Sequence, residues 1–235
     1  MNLKDKVVLV TGASDGIGRE IALRLAKEGV KLALLARDKA KLHEVSQLAK
    51  NAGSPEVEVF ECDIRKSKDI ISTVEKVLKK FKQVDVLVNN AGVWQKLGPL
   101  ESISDKDIDD IVATNLTGLM YLTKALMLQL KSRPEAIILN VISQSGVVAQ
   151  EGQSVYTASK YGVRGFTEVL KAEFKDTNVR VGAVYQSGTN TKMFEKAGDY
   201  PPVEKFTEPA DLAEVVAFML TRPPKIWLHD VRVEY

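Results

Sequence analysis

A tyrosine and a lysine stand four positions apart in the segment Tyr156-Thr157-Ala158-Ser159-Lys160. On a helix, residues i and i+4 share one face, so the phenol and the ammonium would be neighbours. A free tyrosine has a pKa of about 10 and is a poor base near neutral pH. A nearby ammonium stabilises the phenolate, so we expect Lys160 to lower the Tyr156 pKa. The pair predicts proton transfer at a substrate oxygen, although a packed tyrosine beside a lysine stem has the same spacing.

A glycine-rich turn near the N-terminus is a second candidate site. The apolar run Val7–Val10 leads into Thr11-Gly12-Ala13-Ser14-Asp15-Gly16-Ile17-Gly18, where a helix is predicted to start. Backbone N–H groups and the helix dipole favour a phosphate at such a turn, and glycine allows close approach. A tight turn that binds nothing has the same glycines. On the phosphate interpretation, the expected cofactor contacts are Gly12, Ser14, Asp15, Gly16, Ile17 and Gly18.

The end of the second predicted strand indicates which dinucleotide would bind. An acid there accepts hydrogen bonds from the adenosine ribose, whereas an arginine accommodates a 2′-phosphate. Ala36 stands where the acid would be and Arg37 follows it, which favours NADP(H). Asp15 in the glycine turn opposes this interpretation, and Asp38 offers an alternative ribose ligand. NAD(H) is therefore the second candidate cofactor.

Composition argues against several other functions. The chain has 235 residues, of which 45% are hydrophobic and 27% charged, as in an ordinary globular protein. Its net charge of +2 lacks the concentrated positive charge of nucleic-acid and membrane-surface binders. Cys62 is the only cysteine, and neither His43 nor His229 lies in a nucleophile or zinc motif. We expect no metal, no nucleic acid and no membrane partner.

The sequence also carries an expectation about location. We recognise no signal-peptide pattern ahead of the first strand. No apolar run approaches the roughly 20 residues of a membrane helix. A cytoplasmic protein is therefore expected.

Short apolar runs alternate with longer amphipathic stretches that have helical spacing. This alternation predicts an α/β fold: a doubly wound parallel sheet of about seven strands with helices on both faces, in one domain over residues 1–235. Residues 189–206 are the least regular segment, expected to be a substrate loop or a surface excursion. Runs rich in Val, Ile and Leu are typical of strands buried on both faces, and here they are Val7–Val10, Leu32–Leu35, Val57–Phe60, Val84–Val88, Ala136–Ile142, Val179–Val184 and Val231–Val233.

Further polar motifs follow these strands in a fixed order. Asp63 comes after the third strand, Asn89-Asn90-Ala91-Gly92 after the fourth, Asn115 within a helical stretch and Ser143 after the fifth. With the glycine turn and Tyr156–Lys160, they resemble the classical short-chain dehydrogenase/reductase family over almost the whole chain. Ser143, rather than Ser145, matches the family serine, since it lies three residues after Asn140 and three before Gly146.

The resemblance implies a Rossmann-type oxidoreductase that moves a hydride between a nicotinamide and a small carbonyl or alcohol. In the family pattern, Tyr156 is the acid/base, Lys160 also binds the nicotinamide ribose, Ser143 holds the substrate oxygen, and Asn115 anchors a water for proton return. A homodimer or homotetramer is implied, through the helices that bear Asn115 and Tyr156. Further cofactor contacts are implied at Asp63, Ile64, Asn89, Ala91, Gly92, Thr189 and Thr191.

One turn departs from the family pattern. Gln186 and Ser187 stand where the family has Pro-Gly beside the nicotinamide, so we expect that end of the cofactor to be held differently. A shorter C-terminus than in many relatives makes a tetramer less well supported than a dimer.

The substrate is expected to be uncharged, because the residues predicted to surround it are mostly apolar. A ketone, aldehyde or diketone fits best, since Lys96 and Lys192 are interpreted as surface charges. The alternatives are a 3-oxoacyl thioester reductase and a non-enzymatic NADP(H)-binding sensor or scaffold on the same fold. The expected walls are Val93, Trp94, Val147, Gln150, Met193 and Phe194.

Overall fold

The computed structural model describes residues 1–223 and 225–234. Seven parallel strands form one sheet in the order β3-β2-β1-β4-β5-β6-β7. This architecture confirms the predicted doubly wound α/β fold. The strands are β1 (Val7–Thr11), β2 (Lys31–Ala36), β3 (Glu56–Glu61), β4 (Val86–Asn89), β5 (Ala136–Val141), β6 (Val179–Gln186) and β7 (Asp230–Val233).

Helices connect the strands and cover both faces of the sheet. Three short 3₁₀ segments, Leu100–Ser102, Gln144–Gly146 and Val203–Lys205, lie in the connections. The helices are α1 (Gly16–Ala26), α2 (Lys39–Asn51), α3 (Ser67–Phe81), α4 (Asp105–Val112), α5 (Gly118–Lys131), α6 (Ser154–Phe174), α7 (Met193–Lys196) and α8 (Pro209–Leu220).

The sheet separates two apolar cores, because successive side chains of a strand point to opposite faces. Val8 and Val10 of β1 pack in the core under α1, α2 and α8, whereas Val7 and Leu9 pack in the core under α3 and α5. Every residue of β1 is buried. Burial on both faces explains why these strands read as continuous apolar runs in the sequence.

The strand order reverses beside β1, which pairs with β2 on one side and with β4 on the other. The chain therefore leaves the carboxyl ends of β1 and β4 in opposite directions. Such a reversal opens a crevice at that edge of the sheet. The glycine turn follows β1 and the segment Asn90–Gln95 follows β4, so both lie at this crevice.

A π-helical turn, Ala113–Thr117, joins α4 and α5 into one helix over Asp105–Lys131. By length and composition this helix could cross a membrane, although no apolar run of that length is evident in the sequence. Its apolar residues have another role in the structure. Leu122, Leu126 and Leu130 are fully buried in the core under the sheet.

A buried carboxylate ties strands together at the edge of the sheet opposite the crevice. Asp85 precedes β4 and has no exposed surface. Its Oδ2 accepts hydrogen bonds from Val7 N at 2.8 Å and Gln83 Nε2 at 2.9 Å, and its Oδ1 accepts one from Arg133 Nε at 2.9 Å. Removing it leaves a backbone N–H and a guanidinium without their acceptor.

We therefore expect Asp85→Ala to lower the free energy of unfolding by about 3–5 kcal/mol, because breaking one partner of a buried charged network is strongly destabilising. Urea titration measures the loss, and Glu173→Ala, which alters an exposed carboxylate on α6, is the control and should change stability by less than about 0.5 kcal/mol. A loss of less than about 1 kcal/mol for Asp85→Ala would contradict this role.

Candidate active site

One cleft of about 1570 Å³ runs along the carboxyl edge of the sheet. Its walls include residues from the glycine turn, from the ends of β2 and β3, and from the segment after β4. The start of α6 and the segment after β6 complete it. The structure thus brings most of the predicted cofactor, catalytic and substrate residues to one place.

The glycine turn and the segment after β4 are hydrogen-bonded together. Thr11 Oγ1 accepts from the backbone N of both Asn90 and Ala91, at 2.9 and 3.0 Å. Gly12 has φ +65°, and a Cβ there would lie 2.9 Å from Ala91 Cα, so only glycine fits. Of the residues predicted for the cofactor, this region presents to the cleft Gly12, Ser14, Asp15, Gly16, Ile17, Ala91 and Gly92.

Two predicted cofactor contacts lie outside the cleft. Gly18 faces inward, where a Cβ would come within 2.3 Å of Gly12 O, so this glycine packs α1 against the turn. Asn89 is buried, and its Nδ2 donates to Thr123 Oγ1 at 3.1 Å and to Asn140 Oδ1 at 2.9 Å. Asn90, which belongs to the same motif but is not among the expected cofactor contacts, lines the cleft instead.

Charged residues gather where β2 ends. Arg37, Asp38 and Lys41 line the cleft there. Asp38 Oδ1 accepts from Lys41 N at 3.0 Å, so its carboxylate caps α2 rather than standing free for a ribose. A cluster of two cations beside the expected adenosine end suits a phosphate group.

Asp15 in the glycine turn is paired with lysines. Its Oδ2 lies 2.9 Å from Lys196 Nζ and 3.9 Å from Lys41 Nζ, and its Oδ1 accepts from Gly16 N. Burial acts to raise the Asp15 pKa, but the hydrogen bonds from Lys196 and Gly16 N hold this pKa below its usual value. The pairing offsets the negative charge that the sequence places in the turn where a cofactor phosphate is expected.

The part of the cleft that is expected to hold the adenine contains an aspartate and an arginine. Asp63, Ile64 and Arg65 line the cleft. Arg65 binds both carboxylate oxygens of Asp63 and donates from NH1 to Asp110 Oδ1 at 2.7 Å. The hydrogen bond from Arg65 holds the Asp63 pKa below its usual value. The planar guanidinium is therefore fixed in the wall, a feature that no motif in the sequence indicated.

Tyr156 and Ser143 meet at the centre of the cleft. Both are buried, with 4% and 8% of their surface exposed, and the Ser143 hydroxyl is hydrogen-bonded to the phenol. Burial raises the pKa of Tyr156 to about 12, and the hydrogen bond with Ser143 only partly opposes it. The lowering that the sequence predicts is not found, because loss of solvent raises the pKa and the Ser143 hydroxyl, not Lys160, is the group that acts to lower it. The phenol therefore holds its proton near neutral pH.

Lys160 lies one turn further along α6, with its Nζ 5.6 Å from the centre of the Tyr156 ring. It is 5% exposed, and burial lowers its pKa to about 8. Within residues 1–223 and 225–234, no carboxylate lies within 4 Å of its Nζ. An ammonium in this position is poised to lose its proton just above neutral pH.

Asn115 lies in the π-helical turn, behind the cleft wall. Its Oδ1 accepts from Val93 N at 2.8 Å, and its Nδ2 donates to Val93 O at 3.0 Å and to Ser159 Oγ at 3.2 Å. A Cβ on Gly92 would lie 3.4 Å from Asn115 Oδ1 and 3.6 Å from Lys160 Nζ, so both groups border one glycine. π turns of this kind occur often at functional sites.

Aromatic rings form the substrate side of the cleft. Trp94 packs edge-on against Tyr156 with ring centres 4.5 Å apart, and Phe194 packs against Trp94 at 4.9 Å. Trp94 Nε1 donates to Asp199 Oδ2 at 2.7 Å, which joins residues 189–206 to the segment after β4. Gln150 and Met193 also line the cleft, whereas Val147 does not, because it packs beside Leu119 and Ile142.

The turn after β6, where the sequence departs from the family's Pro-Gly pattern, lies in the cleft wall. Gln186 and Ser187 both line the cleft, as do Thr189 and Thr191 further along. In the part of the chain that the structure describes, Gln186 Oε1 and Ser187 Oγ are buried without a hydrogen-bond partner. Such buried polar atoms cost stability. The turn therefore presents polar groups where the family has proline and glycine.

A family model for short chain dehydrogenases matches residues 6–201. The chain belongs to the short-chain dehydrogenase family. This dehydrogenase is 34% identical over 244 residues to the NADP-dependent 3-hydroxy acid dehydrogenase of Schizosaccharomyces pombe, with 98% of this chain and 93% of that protein covered.

Two solved structures support the same assignment. An alcohol dehydrogenase from Thermococcus sibiricus, complexed with 5-hydroxy-NADP, superimposes with a TM-score of 0.89 at 28% identity, covering 98% of this chain and 96% of that one. A 3-ketoacyl-(acyl-carrier-protein) reductase from Brucella melitensis, complexed with NADH, has a TM-score of 0.86 at 32% identity and covers 98% and 97%. The protein is an oxidoreductase of this family.

Burial of Lys160 leads to a testable prediction about the stability of this short-chain dehydrogenase. Its folded-state pKa lies below its unfolded value of 10.5, so the unfolded chain binds more protons between about pH 8 and 10.5, and the contribution of Lys160 to stability rises with pH there. Lys160→Met removes the buried charge, and we expect it to raise the free energy of unfolding at pH 7 by up to about 3 kcal/mol.

The stability that Lys160→Met gains should shrink between about pH 8 and 10, because the wild-type lysine loses its charge over that range and so no longer differs in charge from methionine. Urea titrations of both proteins at several pH values measure it. Lys124→Met, which removes an exposed lysine on α5, serves as the control. A Lys160→Met protein less stable than the wild type at pH 7 would refute the interpretation.

Proposed function

We propose that the protein is an NADP(H)-dependent reductase of a small uncharged carbonyl compound, with Tyr156 as the acid/base. The observation that carries the proposal is the cluster of Tyr156, Ser143 and Lys160, buried together in the wall of the cleft that the glycine turn borders. A buried phenol, hydroxyl and ammonium together suit proton transfer to a substrate oxygen.

The residues of the cleft fit a dinucleotide. Gly12 and Gly16, with φ of +65° and +51°, bring bare backbone to the cleft at the start of α1, where a pyrophosphate is favoured. When bound, the nicotinamide supplies or accepts the hydride. We assign its ribose to Lys160, its adenine to the wall of Asp63 and Ile64, and its nicotinamide end to Thr189 and Thr191.

The protein's own part in reduction is to hold the carbonyl oxygen and to protonate it. Ser143 and Tyr156 donate hydrogen bonds to the oxygen as negative charge develops on it. Tyr156 is protonated near neutral pH because burial raises its pKa, so it gives its proton to the oxygen. Lys160 stabilises the phenolate that remains, and Asn115, which borders Gly92 with Lys160, belongs to the path that returns a proton.

Arg37 and Lys41 support the choice of NADP(H) over NAD(H). Both line the cleft at the end of β2, where Ala36 leaves no carboxylate to oppose a 2′-phosphate. Asp38 caps α2, and the negative charge of Asp15 is paired with Lys196 and Lys41. Relatives with NADP in their names and structures agree with this choice, while the NADH complex of one neighbour keeps NAD(H) as the alternative.

The substrate side supports an uncharged carbonyl compound. The apolar side chains of Trp94, Met193 and Phe194 line this side, together with the exposed Gln150. A 3-oxoacyl thioester is the second candidate, favoured by the likeness to the 3-ketoacyl reductase. Residues 189–206 would act as the substrate loop, because Asp199 joins them to Trp94.

We further propose a cytoplasmic homodimer or homotetramer assembled through α4–α5 and α6. These helices carry apolar side chains that are exposed in the single chain, notably Leu128, Tyr161 and Val169. Exposed apolar surface of this kind is typical of a subunit contact.

The direct test follows NADPH absorbance against a panel of aldehydes, ketones, diketones and an acetoacetyl thioester. We expect turnover that falls by about 10²- to 10⁴-fold in Tyr156→Phe, since general-acid catalysis contributes that much. NADPH binding, measured by fluorescence, should be retained. Tyr161→Phe, on the same helix but with its hydroxyl bonded to Val147 O, is the control. No wild-type turnover with any substrate, or full activity of Tyr156→Phe, would contradict the proposal.

Cofactor choice is tested separately with Arg37→Ala. Loss of a charged hydrogen bond costs about 1.5–3 kcal/mol, so the KM for NADPH should rise by about 10- to 100-fold while the KM for NADH changes little. Lys39→Ala removes an exposed cation near the same turn and should alter neither constant. A wild-type enzyme that prefers NADH, or an unchanged NADPH constant in Arg37→Ala, would refute the assignment.

A further inference from the structure

The helix that carries Tyr156 begins without a cap of its own. Gln153 is the residue before α6, and its side chain forms no hydrogen bond to the first turn. It pairs instead with Ser145 Oγ at 2.9 Å and with Gln150 Oε1 at 2.7 Å. The N–H groups of a first helical turn need acceptors, and a residue at the cap position usually provides one.

Gln95, from the segment after β4, provides the missing acceptor. Its Oε1 accepts hydrogen bonds from Val155 N and Tyr156 N, both at 2.9 Å, and its Nε2 donates to Gly152 O at 3.0 Å. An amide oxygen has two lone pairs, and here each receives one backbone N–H. The side chain is 2% exposed, so water does not compete for these bonds.

We infer that Gln95 is a positioning residue for catalysis, which acts by fixing the first turn of α6 and so the phenol of Tyr156. This inference rests on the proposed role of Tyr156. One of the two N–H groups that Gln95 receives is that of Tyr156 itself. The residue before Gln95, Trp94, packs on the Tyr156 ring. Successive residues of one segment thus hold the backbone and the ring of the same tyrosine.

A displaced phenol would slow the chemical step more than it would weaken binding. A shift of about 1 Å in a catalytic group costs as much as 10²-fold in rate. The groups that contact the cofactor at the glycine turn and at the end of β2 are held by other hydrogen bonds. Loss of the cap should therefore appear in kcat and leave cofactor binding intact.

The test compares Gln95→Met, which keeps the length but loses the acceptor, with Gln95→Glu, which keeps the acceptor and loses the donor. We expect kcat to fall about 10- to 100-fold in Gln95→Met, with the carbonyl KM and the NADPH dissociation constant within about threefold of wild type. Gln95→Glu should retain kcat within about threefold. If Gln95→Met does not fold, Gln95→Glu decides, since a loss of 10-fold or more there would overturn the inference.

Gln129→Met is the matched control. Gln129 Oε1 accepts from Val84 N at 3.1 Å, a similar side-chain bond to backbone, but it lies at the opposite edge of the sheet. This variant should lose stability and keep kcat. An equal loss of kcat in Gln129→Met, or kcat within twofold of wild type in Gln95→Met, would show that Gln95 is merely structural.

Hydrogen–deuterium exchange gives a readout that needs no turnover. In Gln95→Met, the amides of Val155 and Tyr156 should exchange at least about tenfold faster than in the wild type, because their acceptor is gone, whereas Gln129→Met should leave them unchanged. Unchanged exchange in Gln95→Met would overturn the inference on its own. A wild-type enzyme without turnover, but with faster exchange in this variant, would count against the proposed function and not against the cap.

Discussion

Burial of a phenol and an ammonium side by side is the constraint on which the site depends. Tyr156 and Lys160 are both almost fully removed from solvent. Burial favours the neutral form of each group, so it raises the pKa of Tyr156 and lowers the pKa of Lys160. The tyrosine keeps a proton that it can donate, and the lysine holds one that it can release. Near neutral pH the phenol is uncharged and the lysine, with a pKa of about 8, is mostly protonated, so a phenolate that forms at Tyr156 has a cation beside it.

Holding these two groups in the cleft wall requires rigid neighbours on several elements. Ser143 follows β5, Asn115 lies in the π turn before α5, and the segment after β4 contacts Asn115 through Val93 and Tyr156 through Trp94. All of these lie at the carboxyl edge of one parallel sheet. A site built on strand ends and helix starts keeps its geometry more closely than one built on loops alone.

The sequence predicts the parts of this arrangement that are local. Strands buried on both faces appear as apolar runs, and the glycine turn and the Tyr156–Lys160 spacing can be read directly from neighbouring residues. The hydrogen bonds by which Gln95 caps α6, and the hydrogen bond that Trp94 donates to Asp199, join residues 60 or more positions apart. No periodicity in the sequence signals such pairs. The direction of the Tyr156 pKa was also missed, because spacing shows that a lysine is near but not how much solvent both groups lose.

The protonation state of Tyr156 is the most direct test of the proposed role of this buried pair. Tyrosine labelled with carbon-13 at Cζ allows each phenol to be titrated by NMR in the cofactor-free protein, and the signal absent from Tyr156→Phe identifies the residue. We predict that this signal keeps its protonated chemical shift up to about pH 10, since the pKa is raised to about 12. A phenolate that forms below about pH 9 would contradict it, because the field of Lys160 would then outweigh burial.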